Sequence, residues 1–445
     1  MSGLQLKSIM QKNGIVGAGG AGFPSYGKLT DGASLLVINA IECEPLMYTD
    51  YTLVKEKLAD IVAGAQAIME FGHIPNAILA IKAYRAKTLG LIDGQSLAEG
   101  VRVKTVPNVY PMGDEINLIY QTTGRLIKPG NLPISQGVIV YNAETVFNTR
   151  AAIRDDKPVI EKWLTVGGDI PQAYVVRVPV GMRISDVLKA VKVTVPEHYV
   201  MFDGGPSMGT IKNPASDVVV KTTKALLIVP DSIPAVVNKQ RTVEENLRLA
   251  ASVCCQCTRC TEMCPRHLLG YPLEPHKMVR ATLSAAQETP ELIRNASLCC
   301  SCDICGTFAC CQGISPMMVI KEYKKILAKN RIKYIAGPDE TFTPNPDREN
   351  RMLTSGKWKE MLGVSRFDKH PTYIPEKLRA DKVEIRMSQH IGAPSVPCVE
   401  VGDTVTEGQM IANAGNGLSV PQYASIGGRV TFVDPTRIII EAQDA

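Results

Sequence analysis

Residues 254–265 read Cys-Cys-Gln-Cys-Thr-Arg-Cys-Thr-Glu-Met-Cys-Pro, which places four cysteines at the spacing C-x2-C-x2-C-x3-C-P. Residues 299–311 read Cys-Cys-Ser-Cys-Asp-Ile-Cys-Gly-Thr-Phe-Ala-Cys-Cys, with one extra residue before the last pair. Three thiolates at such short spacing surround one corner of an iron–sulfur cubane. Zinc sites use two cysteine pairs separated by a longer loop, so the repeated run predicts two [4Fe–4S] clusters.

Two runs of this kind exchange a ligand, because the fourth cysteine of each run binds the cluster of the other run. The expected ligands of the first cluster are Cys254, Cys257, Cys260 and Cys310. The expected ligands of the second cluster are Cys264, Cys299, Cys302 and Cys305. Cys311 could replace Cys310, and the spacing leaves that choice open. Cys255 and Cys300 are expected not to be ligands.

The clustering of the cysteines, the net charge and the lengths of the apolar runs argue against secreted, nucleic-acid-binding and membrane-spanning proteins. Eleven of the 13 cysteines lie between Cys254 and Cys311, which indicates metal ligands in a cytosolic chain rather than a disulfide framework. The net charge of +5 is small for 445 residues and argues against a nucleic-acid partner. No apolar run approaches the roughly 18 residues of a membrane span, and residues 1–7 lack a signal-peptide core.

A glycine-rich loop, Gly-Ala-Gly-Gly-Ala-Gly-Phe-Pro at residues 17–24, is the second strong feature. Glycines let the backbone approach a phosphate or a flavin ring closely and offer N–H donors. A Rossmann loop would follow a strand and open a helix. This loop instead follows an amphipathic helix at 3–12 and precedes an apolar strand at 35–38, so the Rossmann interpretation is rejected. The helix is expected to pack on its neighbours, and a docking or encapsulation peptide is the alternative.

Polar residues stand directly after that strand. Asn39, Glu42 and Glu44 lie at its carboxyl end, which is where ligands bind in α/β sheets. The sequence therefore predicts a ligand site built from the glycine loop and these side chains.

The chain divides into five expected segments. These are an α/β domain with the predicted ligand site (1–165), a β-grasp domain (166–235), a two-cluster helical domain (240–330), a linker or wrapping segment (331–379) and a barrel-sandwich domain (380–445). Strands are expected at 77–82, 137–141, 173–178, 199–202 and 225–229, and helices at 52–70, 275–287 and 317–329. Residues 401–411 resemble biotinyl or lipoyl carriers, but no lysine follows Lys382 to carry the group.

The motifs GAGGAGFP with Lys28, and Asn-Ala-Ile-Glu-Cys-Glu-Pro at 39–45, resemble the flavoprotein subunit of respiratory complex I and the C subunit of the Rnf electron-transport complex. The barrel-sandwich part looks N-terminal in the Rnf protein and is C-terminal here. That order resembles the cobalamin reductase family of propanediol-utilisation microcompartments.

The resemblance implies residues for FMN and NADH. The residues implied for the FMN phosphate and ring edge are Gly17, Gly19, Gly20, Gly22 and Lys28. Asn39 and Glu42 would contact the flavin, and Glu44 would lie near the nicotinamide ribose. Pro-Met-Gly-Asp-Glu at 111–115 resembles a second flavin loop that places Gly113, Asp114 and Glu115 beside the isoalloxazine. Asn142 and Thr145 fit a further FMN segment, whereas Tyr141 departs from it.

The resemblance also implies an activity. NADH would reduce the flavin, and electrons would pass singly through the clusters to cob(III)alamin or cob(II)alamin, with no acid–base residue required. The protein would be cytoplasmic, inside a microcompartment, and would regenerate the cofactor of a diol dehydratase. Its candidate partners are a shell protein or an adenosyltransferase. A peripheral NADH-oxidising Rnf-type subunit that serves a protein acceptor is the first alternative, and a non-enzymatic scaffold is the second.

Overall fold

The computed structural model describes residues 3–283 and 290–443 of a multidomain α/β and β chain. The elements of its first part are α1 (Gly3–Lys12), β1 (Leu35–Asn39), α2 (Thr49–Gly72), β2 (Asn76–Lys82), α3 (Ala83–Thr88), β3 (Ser96–Ala98), β4 (Val101–Val106), β5 (Val109–Tyr110), α4 (Glu115–Thr123), β6 (Val138–Asn142) and α5 (Ala143–Asp155). Leu6 and Met10 of α1 are fully buried in the core. The helix is therefore a packed element and not a free docking peptide.

The first sheet has the strand order β3-β4-β2-β1-β6, in which β4, β2, β1 and β6 run parallel. β1 and β6 are almost continuously buried, as expected for parallel strands that are covered on both faces. From β1 the chain continues to β2 on one edge of β1, and it later returns to pair β6 with the opposite edge of β1. This reversal opens a crevice at the carboxyl ends of β1 and β6, where Asn39 lies opposite Asn142.

The second part is a β-grasp-like sheet. Its elements are β7 (Glu161–Gly168), β8 (Tyr174–Pro179), α6 (Ile184–Ala190), β9 (Tyr199–Asp203), β10 (Thr210–Lys212) and β11 (Ala225–Pro230). Their order is β10-β9-β11-β7-β8, and β7 lies inside the sheet although the sequence analysis did not expect it. The charged residues Glu161 and Lys162 at its start do not fit the pattern of a buried strand. In the structure Lys162 is nevertheless fully buried, and its ammonium pairs with the Glu144 carboxylate.

The cysteine region is helical. Its helices are α7 (Pro234–Gln240), α8 (Val243–Val253), α9 (Arg259–Glu262), α10 (Pro265–Leu268), α11 (Pro275–Leu283), α12 (Pro290–Arg294) and α13 (Pro316–Lys329). A π-helix spans Ile304–Ala309. The helix expected at 275–287 is present to Leu283, and residues 284–287 lie outside the described residues.

The segment after α13 wraps across the other parts. It contains β12 (Leu353–Thr354), α14 (Ser355–Leu362) and β13 (Thr372–Lys377). β12 pairs with β5 of the first part, and β13 adds a parallel strand to β8. Trp358 of α14 has no exposed surface and stacks on Tyr110, with ring centroids 4.7 Å apart. These contacts tie the segment to both neighbouring parts at once.

The last part is a barrel sandwich of two small sheets. Its strands are β14 (Lys382–Arg386), β15 (Val396–Pro397), β16 (Thr404–Val405), β17 (Met410–Asn413), β18 (Gln422–Tyr423), β19 (Gly428–Asp434) and β20 (Arg437–Glu441). It closes back on the glycine loop, since the Ile391 N–H donates to the Gly22 carbonyl at 3.0 Å. Across the described ranges, no helix has the length and apolarity that crossing a membrane requires.

Candidate functional site

A cavity of about 490 Å³ lies at the carboxyl ends of β1 and β6, between the first sheet, the β-grasp sheet and the cysteine region. Eight of the residues expected to hold FMN or NADH line it: Gly19, Gly20, Asn39, Glu42, Glu44, Gly113, Asp114 and Asn142. The other five are not among the described residues that line it: Gly17, Gly22, Lys28, Glu115 and Thr145.

Those five residues shape the loops around the cavity. The Gly17 N–H donates to the Phe23 carbonyl at 2.8 Å, which closes the glycine loop. The Ala18 N–H donates to the Thr145 hydroxyl at 3.0 Å, which anchors the loop on α5. The Lys28 ammonium pairs with Glu115 at 2.7 Å, so part of its charge is already neutralised.

Glu42 is held in a buried ion pair with Arg85. Its carboxylate also accepts the backbone N–H of Asp50 at 2.9 Å, at the start of α2. The Arg85 guanidinium lies 5.0 Å from the ring centroid of Tyr48. Carboxylate and guanidinium are thus both satisfied, so Glu42 builds the wall of the cavity and fixes the loop after β1.

Glu44 is bonded to the β-grasp domain. Its carboxylate accepts the backbone N–H of Ser207 at 2.9 Å and the Tyr110 hydroxyl at 3.2 Å. Burial raises the pKa of Glu44, although the backbone N–H groups of Ser207 and Met208 oppose the rise. The Lys239 ammonium holds the Ser207 carbonyl of the same loop at 2.6 Å. Glu44 therefore connects the strand end of the first sheet to the loop at the mouth of the cavity.

Lys224 is a cavity residue that the sequence analysis did not identify. Its ammonium reaches from the β-grasp domain to Asp50 at 2.5 Å and Glu144 at 3.3 Å. Burial opposes its charge, but these two carboxylates raise the pKa of Lys224 above its usual range. The only signal in the sequence was the polar stretch 221–224 directly before an apolar strand.

Part of the remaining lining also comes from the β-grasp domain. It comprises Asp203, Gly204, Gly205, Met208, Gly209, Thr210 and Thr222. The residues Gly-Gly-Pro at 204–206 follow β9 directly. A Cβ on Gly205 would collide with the Glu44 carboxylate, so this turn needs glycine for close approach.

The first set of cysteines meets around one small cavity. Cys254, Cys257, Cys260 and Cys310 line it, together with Cys255 and Cys311. Burial, and next the charges of Cys310, Cys257 and Cys254, raise the pKa of Cys260 to about 12. The thiols of Cys255, Cys257 and Cys311 also lie within 4.8 Å of one another, at the exposed side.

The second set meets around another small cavity. It is lined by Cys264, Cys299, Cys300, Cys302 and Cys305, with Met317 and Ile320 of α13. Both runs have left-handed residues at matching places, Gln256 and Thr258 in the first and Ser301 and Asp303 in the second. The two loops therefore share one backbone conformation, in which the Ser301 N–H donates to the Cys299 sulfur at 3.2 Å.

The extra residue of the second run is absorbed by the backbone. The π-helix at Ile304–Ala309 holds one residue more per turn than the α-helix Arg259–Glu262 of the first run. Cys310 directly follows the π-helix, and its backbone angles, φ −78° and ψ 110°, are close to the φ −72° and ψ 119° of Cys264. Cys311 lies beyond it and is exposed.

Three contacts join the large cavity to the second set of cysteines. Cys300 and Cys302 line both the large cavity and the cavity of the second set. The Tyr110 hydroxyl donates to the Cys302 carbonyl at 2.9 Å. The Arg266 guanidinium pairs with Asp114 at 2.7 Å, and both side chains are largely buried. The two sites therefore share a wall.

Comparisons with known families match three parts of the chain. A Nuo51 FMN-binding domain matches residues 10–151, a 4Fe–4S dicluster domain matches residues 253–315, and an RnfC barrel sandwich hybrid domain matches residues 369–444. The cobalamin reductase PduS of Salmonella typhimurium is 34% identical over 99% of this chain and 97% of its own length. The chain belongs to the PduS cobalamin reductase family. PduS of Citrobacter freundii is likewise 34% identical, over 98% of this chain and 96% of its own length.

The Rnf-type relatives match less of the chain. The RnfC-type component of the ion-translocating oxidoreductase complex of Haemophilus influenzae is 29% identical over 61% of this chain and 33% of its own length. The C-terminal position of the barrel sandwich distinguishes the PduS family chain from the arrangement expected for the Rnf protein. The resemblance stated from the motifs is thus confirmed.

The residues of the large cavity fit FMN. Gly20 has φ +105°, and a Cβ there would meet no atom within 4 Å, so its bare backbone faces open space. The volume lies within the range of small-molecule cofactor sites. The two cysteine cavities fit iron–sulfur clusters, because each brings four or more thiols together among apolar side chains. Water would not stabilise several thiolates in such surroundings, whereas bound iron would.

Proposed function

We propose that the protein is an oxidoreductase that transfers electrons from NADH, through FMN and two [4Fe–4S] clusters, to the cobalt of cob(III)alamin or cob(II)alamin. The observation that carries the proposal is the shared wall, in which Cys300 and Cys302 line the same cavity as Gly20 and Asn142. A flavin there would have one cluster as its immediate neighbour. The PduS relatives support cobalamin as the acceptor.

The proposed roles of the residues follow their places. FMN, when bound, would accept hydride and release single electrons to clusters that carry them one at a time. The cavity-lining residues that would contact this group are Gly19, Gly20, Gly113, Asp114 and Asn142. The proposed ligands of the cluster beside the cavity are Cys264, Cys299, Cys302 and Cys305. Those of the farther cluster are Cys254, Cys257, Cys260 and Cys310.

The chain's contribution is to hold the site dry and rigid. Two buried ion pairs in the wall, Glu42–Arg85 and Lys224–Asp50, neutralise each other's charges. These four side chains therefore do not need water as a partner. We further propose a cytoplasmic location inside a bacterial microcompartment that contains a diol dehydratase, with a shell protein or an adenosyltransferase as partner. The family relation supports this placement.

An anaerobic NADH titration of the iron- and FMN-reconstituted protein, followed by hydroxocobalamin, tests the proposal by visible absorbance. We expect NADH to bleach the flavin and clusters and cobalamin then to be reduced. Bleaching without cobalamin reduction would favour the Rnf-type alternative with a protein acceptor. No bleaching by NADH, with normal bleaching by dithionite, would refute NADH as the donor and leave the scaffold alternative open.

The role of Glu44 toward NADH needs a separate experiment. We propose that Glu44 lies near the nicotinamide ribose, so Glu44→Gln should raise the NADH concentration needed for half-maximal reduction and leave dithionite reduction unchanged. Because Glu44 also holds the 204–209 loop, Ser207→Ala is the matched control. That change removes the hydrogen bond from the Trp358 indole at 2.9 Å and keeps the carboxylate. An equal effect of both variants would assign Glu44 to loop positioning, and unchanged NADH kinetics would contradict the proposal.

A further inference from the structure

One surface of the cysteine region is strongly basic. Residues 321–333, which cover most of α13 and the turn after it, carry one carboxylate, Glu322, and six cations: Lys321, Lys324, Lys325, Lys329, Arg331 and Lys333. The whole chain has a net charge of only +5, so this face concentrates positive charge locally. We call it the basic face.

The basic face lies directly over the cysteines. On its inner side, Met317 and Ile320 of α13 line the cavity of the second set, and Pro316 lines that of the first set. The Lys324 ammonium donates to the Cys299 carbonyl at 2.6 Å. Only the helix α13 therefore separates the charges on its outer side from the second set of cysteines.

The outer side forms an open groove of about 420 Å³ beside Ser297, two residues before Cys299. The other residues that line it are Lys324, Leu327, Ala328, Arg331, Ile332 and Lys333. Within residues 3–283 and 290–443, no carboxylate forms an ion pair with the exposed Lys329, Arg331 or Lys333. Their positive field is thus not cancelled inside the molecule.

Apolar side chains are exposed among these cations. Ile326 is 55% exposed, Ile332 48% and Ile335 57%. On such a surface the cations steer an oppositely charged partner toward the face, and the exposed apolar side chains offer contact area. A nucleic-acid phosphate backbone would use the cations and leave the isoleucines in water.

We propose that the basic face docks an acidic one-electron carrier protein, which exchanges electrons with the cluster on the second set of cysteines. The partner is identified by charge complementarity and by the position of the face beside a one-electron centre. In the exchange, one electron leaves the reduced cluster and reduces the oxidised centre of the carrier, and no proton or bond changes. The proposal rests on the cluster assignment made above, but it does not require NADH to be the donor.

Reversing three exposed charges tests the proposal. The variant Lys325→Glu/Lys329→Glu/Lys333→Glu leaves Lys324 and its bond to Cys299 intact. The matched control reverses three exposed lysines on other parts of the chain, Lys55, Lys87 and Lys189. Each protein is reduced with dithionite, freed of excess reductant, and mixed in a stopped-flow instrument with an acidic cytochrome b or with a basic cytochrome c. Iron content and dithionite bleaching establish that the clusters are intact.

We expect the face variant to reduce the acidic cytochrome at least about tenfold more slowly at low ionic strength and the basic cytochrome faster. The difference should shrink with added salt, because screening shortens the reach of surface charge. An unchanged rate with the acidic cytochrome, or an equal loss in the control variant, would overturn the proposal. Loss of affinity for a DNA duplex with an unchanged cytochrome rate would also overturn it, in favour of nucleic acid. Failure of NADH to bleach the protein would concern the proposed function alone.

Discussion

We propose that the two cysteine runs exchange a ligand and that Cys310, rather than Cys311, is the fourth ligand of the farther cluster. Cys310 directly follows the π-helix with the extended backbone that Cys264 also has, and it lines the same small cavity as Cys254, Cys257 and Cys260. Cys310→Ala should therefore lower the iron content from about eight to about four atoms per chain. Dithionite uptake should fall from about four to about three electrons.

Iron analysis and an anaerobic dithionite titration of the reconstituted variants provide the measurement. Cys311→Ala should keep about eight iron atoms, because its thiol is exposed and lies at the open side of the cavity. Cys398→Ala, an exposed cysteine in the barrel sandwich, controls for loss of any thiol. If Cys311→Ala halved the iron and Cys310→Ala did not, the argument from the π-helix would be wrong.

Three further changes have expected outcomes. Glu42→Gln should lower the free energy of unfolding in urea by about 3–5 kcal/mol, because it leaves the buried Arg85 guanidinium without its counter-charge. Trp358→Ala should cost about 3–5 kcal/mol in the same assay, since it empties a fully buried site against Tyr110. Burial lowers the pKa of Lys221 from 10.5 to about 7, so the unfolded chain binds one more proton between these values. Stability should rise with pH across this window, and Lys221→Met should flatten the slope by up to about 1.4 kcal/mol per pH unit.

The first two changes have control variants, and each of the three has an outcome that would contradict it. Arg85→Met together with Glu42→Gln removes both buried charges and should recover part of the loss, whereas equal loss in the double variant would contradict the ion-pair argument. Trp358→Phe should retain most of the stacking, so a loss as large as that of alanine would point to the indole hydrogen bond instead. An unchanged pH slope in Lys221→Met would mean that Lys221 keeps its proton in the folded protein.

The cluster type and a ligand site at the carboxyl end of β1 could be predicted from local sequence, and the resemblance then indicated a flavin. Short cysteine spacing has few structural solutions, because three thiolates within seven residues can surround only one small centre. Asn39 and Glu44 could be placed because residues that follow a buried parallel strand meet at the carboxyl edge of the sheet. Both inferences need only a dozen neighbouring residues.

Other site residues could not be predicted, because they reach the cavity from distant parts of the chain. Lys224 and Asp50 are 174 residues apart, and a lysine before an apolar strand is usually solvated. Arg266 lies two residues after Cys264, and nothing in the local sequence indicates that it pairs with Asp114. Such contacts arise only when separate sheets and helices pack together.

Cysteine spacing along the chain is enough to predict the cluster motifs, and the residues at 17–24 and 39–45 carry the resemblance to flavin-binding relatives. Packing of the folded chain establishes which thiols share a cavity, which carboxylates are already neutralised, and that Cys300 lies between the flavin cavity and the second set of cysteines. The physical reason is that burial and charge pairing depend on distance in space, and residues far apart in sequence supply most of both.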